Sequence, residues 1–600
     1  MKRVLAALLP WLATSLAWGA AWGAPAGEYL PDAACASCHG ELFASFQEVG
    51  MARSLASPAR AVPLEDFAAP PYFHAPSGRF YQMARNGEGM VFRRWRQDEK
   101  GRRVDQLELP VDWVLGSGHT SRVYLYGTPS GELFQLPLAW YTQEKAWAMA
   151  PGYDRADHEE VSRRIRRECM FCHNAYPAPE REGSRFNALP TFPRQLPEGI
   201  GCQRCHGPGA AHVDLVTGGE TRPAEIAKSI VNPAKLPAER SREVCYQCHL
   251  QPSVSLIGVR RFGREDYSFR PGERLADYLV AVDPKEAGQE RSERFEINHH
   301  PYRLEQSACF KQSAGALSCL GCHDPHRKVP VASRPAHYRA ACLSCHQDPA
   351  ACKRGPEWAA DTRAVAGDCA GCHMPRRRTQ DVVHVVMTDH LIARKPGGAE
   401  LLAPRAERDP ELEDLAIHPL EGAPTGRLAG IYRALAVLRM VPSADALAYL
   451  EKALPLENPP QPDAWLDLAG ALLRRRRGPE ALAALGRFGR ASDLSLQWRA
   501  LSQPNRRQME AQLRRAAELY PKNPELHYNL GRVLRDHDPA AAESLLAKAA
   551  ELRPNLAGAW YQLGLVRAAQ GKKAGAVEAW QKALAFDPSH GESREALAAP

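Results

Sequence analysis

The chain contains 600 residues, carries a formal net charge of +8 and is 44% hydrophobic. This length allows several domains with substantial cores, and the ordinary hydrophobic content excludes a disordered chain or a protein with many membrane spans. The basic balance is compatible with acidic protein partners, whereas no nucleic-acid-binding motif is present, so we expect no nucleic acid partner.

The N-terminus has the three parts of a secretory signal peptide, over residues 1–26. Lys2 and Arg3 form its charged start, residues 4–18 its apolar centre, and residues 19–26 supply small side chains for cleavage. An uncleaved membrane anchor is the alternative. No later stretch is apolar over the ~20 residues that a spanning helix needs. We therefore expect an exported periplasmic protein that is soluble and has no membrane span after cleavage.

The sequence Cys-x-x-Cys-His occurs seven times, first within residues 27–60 and then six times within residues 161–395. Each copy is the attachment signature of haem c, in which two thioether bonds hold the porphyrin and the histidine binds the iron from one face. The attachment cysteines are Cys35 and Cys38, Cys169 and Cys172, Cys202 and Cys205, Cys245 and Cys248, Cys319 and Cys322, Cys342 and Cys345, and Cys369 and Cys372. The iron-binding histidines are His39, His173, His206, His249, His323, His346 and His373.

The motifs therefore predict seven covalently attached haem c groups. Zinc binding is the competing interpretation of paired cysteines, but it does not explain a histidine beside every pair. Only Cys309 and Cys352 lie outside the motifs. An oxidising compartment permits a disulfide between them, and two separate buried thiols are the alternative.

Residues 61–160 separate the first motif from the others and have the pattern of an antiparallel β-module. Asn86-Gly87, Lys100-Gly101 and Ser130-Gly131 are hairpin-turn pairs between runs of aromatic and β-branched residues. Those runs cover residues 80–83, 91–95, 104–115, 122–126 and 133–140.

Residues 161–395 form the predicted six-haem domain. Its segments are short and punctuated by proline and glycine, so we expect short helices at the motifs and porphyrins in place of much of the side-chain core. Residues 396–426 are rich in proline, glycine and charge, which predicts a linker.

Residues 427–600 change in composition to alanine, leucine and arginine and contain a repeat. Leu530-Gly531 recurs as Leu563-Gly564, and Pro521, Pro554 and Pro588 end successive units. The pattern resembles the tetratricopeptide repeat, a helix pair of about 34 residues. We expect two clear units, a third over residues 463–488 and a degenerate fourth over residues 427–457.

The chemistry of each haem iron depends on the ligand on its second face, opposite the motif histidine. A second histidine there blocks access to the iron, whereas an empty position admits substrate. His326 follows His323 by three residues, so we expect it to serve an adjacent haem, and the same logic fits His212. Met387 is a possible ligand but packing is the commoner role of methionine. The histidines outside the motifs and before residue 420 are His74, His119, His158, His212, His299, His300, His326, His337, His384, His390 and His418.

Segments around these residues resemble periplasmic multihaem cytochromes c related to cytochrome c554, with doubled CxxCH motifs. They are residues 29–39, 115–119, 136–141, 149–154, 168–174, 201–209, 269–272, 319–326, 372–375, 381–384 and 387–390. The resemblance implies as second-face ligands His119, His158, His212, His300, His326, His384 and His390. It favours His300 over His299, because the family pattern has a histidine seven residues before Ser307.

The sequence thus predicts an α+β protein: a multihaem cytochrome c domain with short helices and an antiparallel β-module, followed by an all-α repeat domain. We expect an electron carrier between redox partner proteins, with a protein or peptide docked on the repeats. An oxidoreductase for a small nitrogen or sulfur compound is the alternative, and it needs one open iron, for which the haem of His39 is the candidate. A repeat scaffold with secondary haems is the third possibility. The sequence identifies no catalytic residue.

Overall fold

A computed structural model describes residues 29–175, 188–250, 258–265, 267–347, 367–394, 397–409, 411–458 and 461–599. The predicted signal peptide lies outside these ranges, and so does Cys352 with its possible disulfide to Cys309. No helix within the described ranges has the length and apolar character needed to cross a membrane.

The N-terminal region is rich in strands, as the sequence predicts. These are β1 (Leu55–Ala56), β2 (Tyr72–His74), β3 (Arg79–Asn86), β4 (Gly89–Gln97), β5 (Arg103–Val111), β6 (Trp113–Leu115), β7 (Ser121–Gly127), β8 (Leu133–Tyr141) and β9 (Ala146–Met149). They form a five-stranded sheet in the order β1-β6-β7-β8-β9 and a four-stranded sheet in the order β2-β3-β4-β5. All neighbouring strands in both sheets are antiparallel.

The predicted turns lie between these strands. Gly87 and Gly131 have φ angles of 59° and 90°, a region that glycine enters without the Cβ clash of other residues. Between the sheets, alternating side chains from both faces form one core, which includes Tyr81, Phe92 and Trp140. Burial of these large rings stabilises the module, and Val382 and Val385 of the later motif region belong to the same core.

The region of the six later motifs has short elements. Its helices, with the two of the first motif, are α1 (Ala33–Ala36), α2 (Gly40–Phe46), α3 (Arg167–His173), α4 (Gln203–His206), α5 (Ala210–Thr217), α6 (Pro223–Lys228), α7 (Ala238–His249), α8 (His300–Glu305), α9 (Ala308–Gln312), α10 (Arg334–Leu343) and α11 (Cys369–His373). The strands are β10 (Val259–Arg260), β11 (Leu279–Val280), β12 (Val282–Glu286), β13 (Arg376–Arg378), β14 (Val386–Thr388) and β15 (Leu412–Ile417).

The segment predicted as a linker contains β15, which pairs with β12 in an antiparallel ladder. Leu415 is buried there with Val282 in a small apolar cluster that also holds Tyr432 of the first repeat helix. The linker prediction is therefore wrong for residues 412–417, because apolar side chains within a charged stretch dock on a strand that is distant in sequence.

The C-terminal region is helical, so the predicted mixed α and β class is confirmed at this level. Five helix pairs follow one another and a single helix ends the chain. The helices are α12 (Gly426–Met440), α13 (Ala444–Ala453), α14 (Pro462–Arg474), α15 (Gly478–Phe488), α16 (Asp493–Leu501), α17 (Arg506–Leu519), α18 (Pro524–Leu534), α19 (Pro539–Leu552), α20 (Ala557–Ala569), α21 (Lys573–Phe586) and α22 (Gly591–Ala598). The pair α16–α17 was not predicted, because Trp498-Arg499-Ala500 stands there instead of a Leu-Gly pair.

The glycine of each Leu-Gly pair allows close packing of the two helices of its unit. A Cβ atom on Gly531 would lie 2.7 Å from Cγ of Leu546 in α19, and one on Gly564 would overlap the indole of Trp580 in α21. The repeated glycine thus marks the closest approach between paired helices.

The repeats contact the β-module through a network of four charged residues, of which Arg553 and Glu132 are buried and Arg164 and Glu525 are partly buried. Arg553 donates to Glu132 at 2.8 Å and to Glu525 at 2.9 Å. Arg164 is paired with the same two carboxylates at 2.8 and 2.9 Å. The Glu132 side chain is 0% exposed. Burial opposes ionisation of Glu525, but the charges of Arg553 and Arg164 outweigh it and lower its pKa to about 2.

Neutral hydrogen bonds extend this contact. Ser130 donates its backbone N–H to Leu552, and the Asn555 amide donates to the carbonyl of Val161. Leu552 and Asn555 flank the turn between α19 and α20, so the loops between repeats, rather than the repeat helices alone, hold the array against the β-module.

We predict that Arg553→Ala lowers the stability of the repeat region by about 3 kcal/mol, because it removes one cation from the buried Glu132 carboxylate and the partly buried Glu525 carboxylate. Thermal unfolding followed by circular dichroism measures this. Arg514→Ala is the matched control, since Arg514 pairs with Glu510 on the exposed face of α17 and should cost less than about 1 kcal/mol. Equal losses of stability in the two variants would contradict the stabilising role of Arg553 between Glu132 and Glu525.

The same network predicts a loss of stability in acid. The folded pKa of Glu525 is lowered to about 2, so its contribution is complete above its unfolded pKa of about 4.3 and disappears as the pH falls towards 2. The melting temperature of the repeat region should fall across this window, and Glu525→Gln should flatten the fall. An unchanged pH profile in that variant would refute the role of Glu525.

Candidate functional site

The CxxCH motifs lie on short helical turns. Residues three apart on a helix share one face, so the two cysteines of a motif point to the same side and the histidine follows them. Four helices, α3, α4, α7 and α11, end at the motif histidine itself. This local geometry suits a group that is held by two thiols and an adjacent imidazole.

The seven motifs also lie beside one another. Thiols of different motifs are close enough to shift one another's pKa in four pairs, which are Cys35 with Cys202, Cys172 with Cys248, Cys245 with Cys319, and Cys342 with Cys369. Two further pairs are close enough to interact electrostatically, Cys205 with Cys248 and Cys322 with Cys342. Together these contacts join all seven motifs into one connected group, in which the motif of Cys245 and Cys248 has three neighbours.

The first motif belongs to this connected group although the β-module separates it in sequence. Leu30 and the Gln203 side chain exchange two hydrogen bonds, and the N–H of Cys202 donates to Asp32 at 3.1 Å. His39 lies near enough to His206 to affect its charge. The separation of the first motif in sequence is therefore not a separation in space, because the chain returns to this motif after completing the module.

Three motif histidines face a predicted second-face histidine. The ring centroids are 5.8 Å apart for His206 and His326, 5.5 Å for His249 and His300, and 6.3 Å for His323 and His390. Metal–imidazole bonds are about 2 Å long, so rings on opposite sides of one ion have a separation of this order. His326 thus lies with the histidine of another motif, and His300 rather than His299 lies beside a motif.

Many of these imidazoles have their Nδ1 atom hydrogen-bonded. Ligand histidines usually donate this second N–H to a carbonyl or carboxylate, which fixes the ring and leaves the Nε2 lone pair for the metal. The acceptors are Val231 O for His206, Ala393 O for His373, Thr388 O for His390 and a Glu144 carboxylate oxygen for His384, while Ser229 Oγ bonds His212 and the Asp324 carboxylate lies 3.4 Å from His326. Three of these six partners are backbone carbonyls, which carry no sequence signal.

Burial keeps the central histidines neutral. It is the main cause that lowers the pKa of His206, His249, His300 and His323, and with the nearby His323 it lowers the pKa of His390 to about 4. A histidine must be neutral to bind a metal. The buried rings are therefore in the state that iron ligation requires.

Two histidines of the β-module are placed differently. Nε2 of His158 lies 3.0 Å from the Tyr81 hydroxyl, and its Nδ1 accepts the N–H of Glu160 at 3.1 Å. His74 contacts Ser77 through Nδ1 and Asp154 through Nε2. The described contacts of both rings lie within the module.

Three further histidines outside the motifs, which the family resemblance does not imply as iron ligands, are bonded through Nε2. That atom lies 3.3 Å from Glu296 in His299, 3.1 Å from the Cys322 carbonyl in His337 and 3.1 Å from Glu305 in His418. His119 is exposed on the turn after β6, and its side chain makes no hydrogen bond within the described part of the chain. Met387 packs against the core of the β-module.

The burial pattern of the motif helices fits the attachment of large apolar groups. Three of these helices, α1, α10 and α11, bury no residue, whereas the β-module and the repeats have full cores. A helix that buries none of its side chains gains no packing energy from them. Porphyrin rings at the motifs would supply the missing apolar contact, so the residues present fit haem c. Among the described residues, no group of three or more His, Cys, Asp or Glu side chains could hold a free metal ion.

Comparisons with known proteins bear on the C-terminal region. The family model for the tetratricopeptide repeat matches residues 557–590, which contain α20 and α21. Among curated proteins, none matches the chain. The family match agrees with the helix pairs and their Leu-Gly contacts, and the C-terminal region contains tetratricopeptide repeats.

Solved structures with similar repeats cover less than a third of this chain. YrrB, described as a TPR protein with an unusual peptide-binding site, is 21% identical and covers 29% of this chain and 93% of its own, with a TM-score of 0.25. MamA from Desulfovibrio magneticus RS-1 is 16% identical and covers 27% and 96%, with a TM-score of 0.25. The first TPR of Spaghetti (RPAP3), bound to an HSP90 peptide, is 23% identical and covers 18% and 87%, with a TM-score of 0.17.

Proposed function

We propose that this protein is an exported heptahaem c-type cytochrome that carries electrons between redox partners in the periplasm. The connected group of seven CxxCH motifs is the observation that carries the proposal, because a carrier needs its centres close together. Haem c supplies reversible one-electron chemistry when it is attached. The predicted signal peptide supports export, since thioether attachment belongs to that compartment.

The residues of this chain have distinct roles in the proposal. The cysteine pairs would anchor the porphyrins, and the motif histidines would each bind an iron. His326, His300 and His390 would close the second face opposite His206, His249 and His323, and His119, His212 and His384 would close three further irons. The Nδ1 acceptors orient these rings and make their Nε2 atoms better donors.

The repeats would recruit a redox partner, since tetratricopeptide arrays commonly bind peptide segments of other proteins. The loop around Arg553 is already buried against the β-module, so a partner would bind elsewhere on the array. Most of the net positive charge of the chain lies in the repeat region, residues 427–600. This charge favours a partner with an acidic segment. The rigid contact with the module would hold that partner at a fixed distance from the motifs.

An oxidoreductase acting on a small nitrogen or sulfur compound is the second candidate. The number of available histidines favours it. Among the eleven histidines outside the motifs and before residue 420, six have an Nε2 atom that makes no hydrogen bond in the described residues. Seven motifs would need seven such histidines, so one iron would stay open to substrate. Turnover of hydroxylamine, nitrite or tetrathionate with a dye as electron donor or acceptor would support it. Absence of both turnover and ligand binding would rule out this enzyme activity and leave electron transfer as the proposed function.

We predict seven covalent haems per chain in the wild-type protein. Intact-mass analysis and the pyridine haemochrome spectrum measure the number. The double substitution Cys202→Ser and Cys205→Ser should remove one haem, whereas Cys309→Ser, outside every motif, should remove none. A protein that is exported and folded but carries no covalent haem would refute the proposed function.

A further inference from the structure

Both ring nitrogens of His158 are occupied inside the β-module. The backbone N–H of Glu160 donates to Nδ1 at 3.1 Å, so Nδ1 holds a lone pair and the proton of the neutral ring is on Nε2. Nε2 lies 3.0 Å from the Tyr81 hydroxyl, which accepts that proton. Neither nitrogen therefore has a lone pair available for a metal.

The surroundings of His158 hold it in this position. Its side chain is 0% exposed, and its ring packs against Tyr153 and His74 with centroids 5.4 and 5.7 Å away. The next turn of the chain is fixed by buried ion pairs of Glu160 with Arg79 and Arg94. No motif histidine is among the described rings that contact His158, so reaching an iron would require this loop to leave the core.

The eleven histidines outside the motifs and before residue 420 fall into two groups, according to whether Nε2 is hydrogen-bonded. Nε2 lies against an oxygen atom in five, His74, His158, His299, His337 and His418. In the part of the chain that the structure describes, Nε2 makes no hydrogen bond in the other six, His119, His212, His300, His326, His384 and His390. His158 thus shares a bonded Nε2 with four histidines that the family resemblance does not imply as ligands, although the resemblance implies His158 itself.

We propose that His158 is a structural residue of the β-module and not an iron ligand, and that one of the seven irons therefore has no second histidine. The inference rests on the haem attachment proposed above. Three motif histidines already face a partner ring, so the open iron belongs to the motif of His39, His173, His346 or His373. A small donor molecule could bind there, such as imidazole or cyanide in the ferric state.

Electron paramagnetic resonance of the full-length ferric protein, with imidazole titration, tests the inference. We expect one high-spin haem in seven in the wild type and one imidazole bound per chain. His158→Gln should leave both numbers unchanged, because glutamine replaces a hydrogen-bonding residue and not a ligand. His326→Gln should raise the high-spin count to two in seven. His337→Gln is the control, because the His337 ring contacts the carbonyl of Cys322 through Nε2, and it should leave the count at one.

Two results would overturn the inference. One is a wild-type protein with all seven irons low-spin. The other is an additional high-spin haem in His158→Gln, equal to that in His326→Gln. If His158→Gln does not fold, the wild-type count alone decides. Counting covalent haems by mass in the same samples separates this failure from failure of the proposed function, which would show fewer than seven haems.

Discussion

Three of the helices that carry CxxCH motifs, α1, α10 and α11, have no buried side chain with which to hold their neighbours. The motifs they carry are nevertheless in contact with those on other segments. Such an arrangement needs apolar groups at the motifs and rigid supports at its sides. The β-module and the repeats provide these supports, since each contains an extensive side-chain core.

The two supports are joined by ion pairs, by hydrogen bonds and by Phe586 of α21, which packs against the core of the β-module. Glu132 and Glu525 share Arg553 and Arg164 in one network. A buried charge without its partner is costly, so the four residues favour one mutual position of module and repeats. The repeat array is therefore part of the body of the protein, and a partner bound to it would be positioned relative to the motifs.

Histidine roles in this protein depend on which ring nitrogen is already bonded. A ring that donates through Nδ1, as His206 does to Val231 O, keeps its Nε2 lone pair. A ring whose Nδ1 accepts a backbone N–H, as in His158, has its proton on the other nitrogen. The lone pair is thus free on Nε2 in His206 and engaged on Nδ1 in His158, because a backbone amide donates to Nδ1 of His158.

The sequence by itself determined what depends on neighbouring residues: the seven motifs, the strands between Gly-containing turns, and the repeat units with a Leu-Gly pair. It missed the α16–α17 pair, whose residues depart from that pattern, and it treated β15 as linker because the partner strand is distant in sequence. Only the tertiary structure decided that Cys35 lies beside Cys202 and that His158 is bonded to Tyr81. These contacts join segments up to 167 residues apart in the chain, and local spacing carries no information about such a distance.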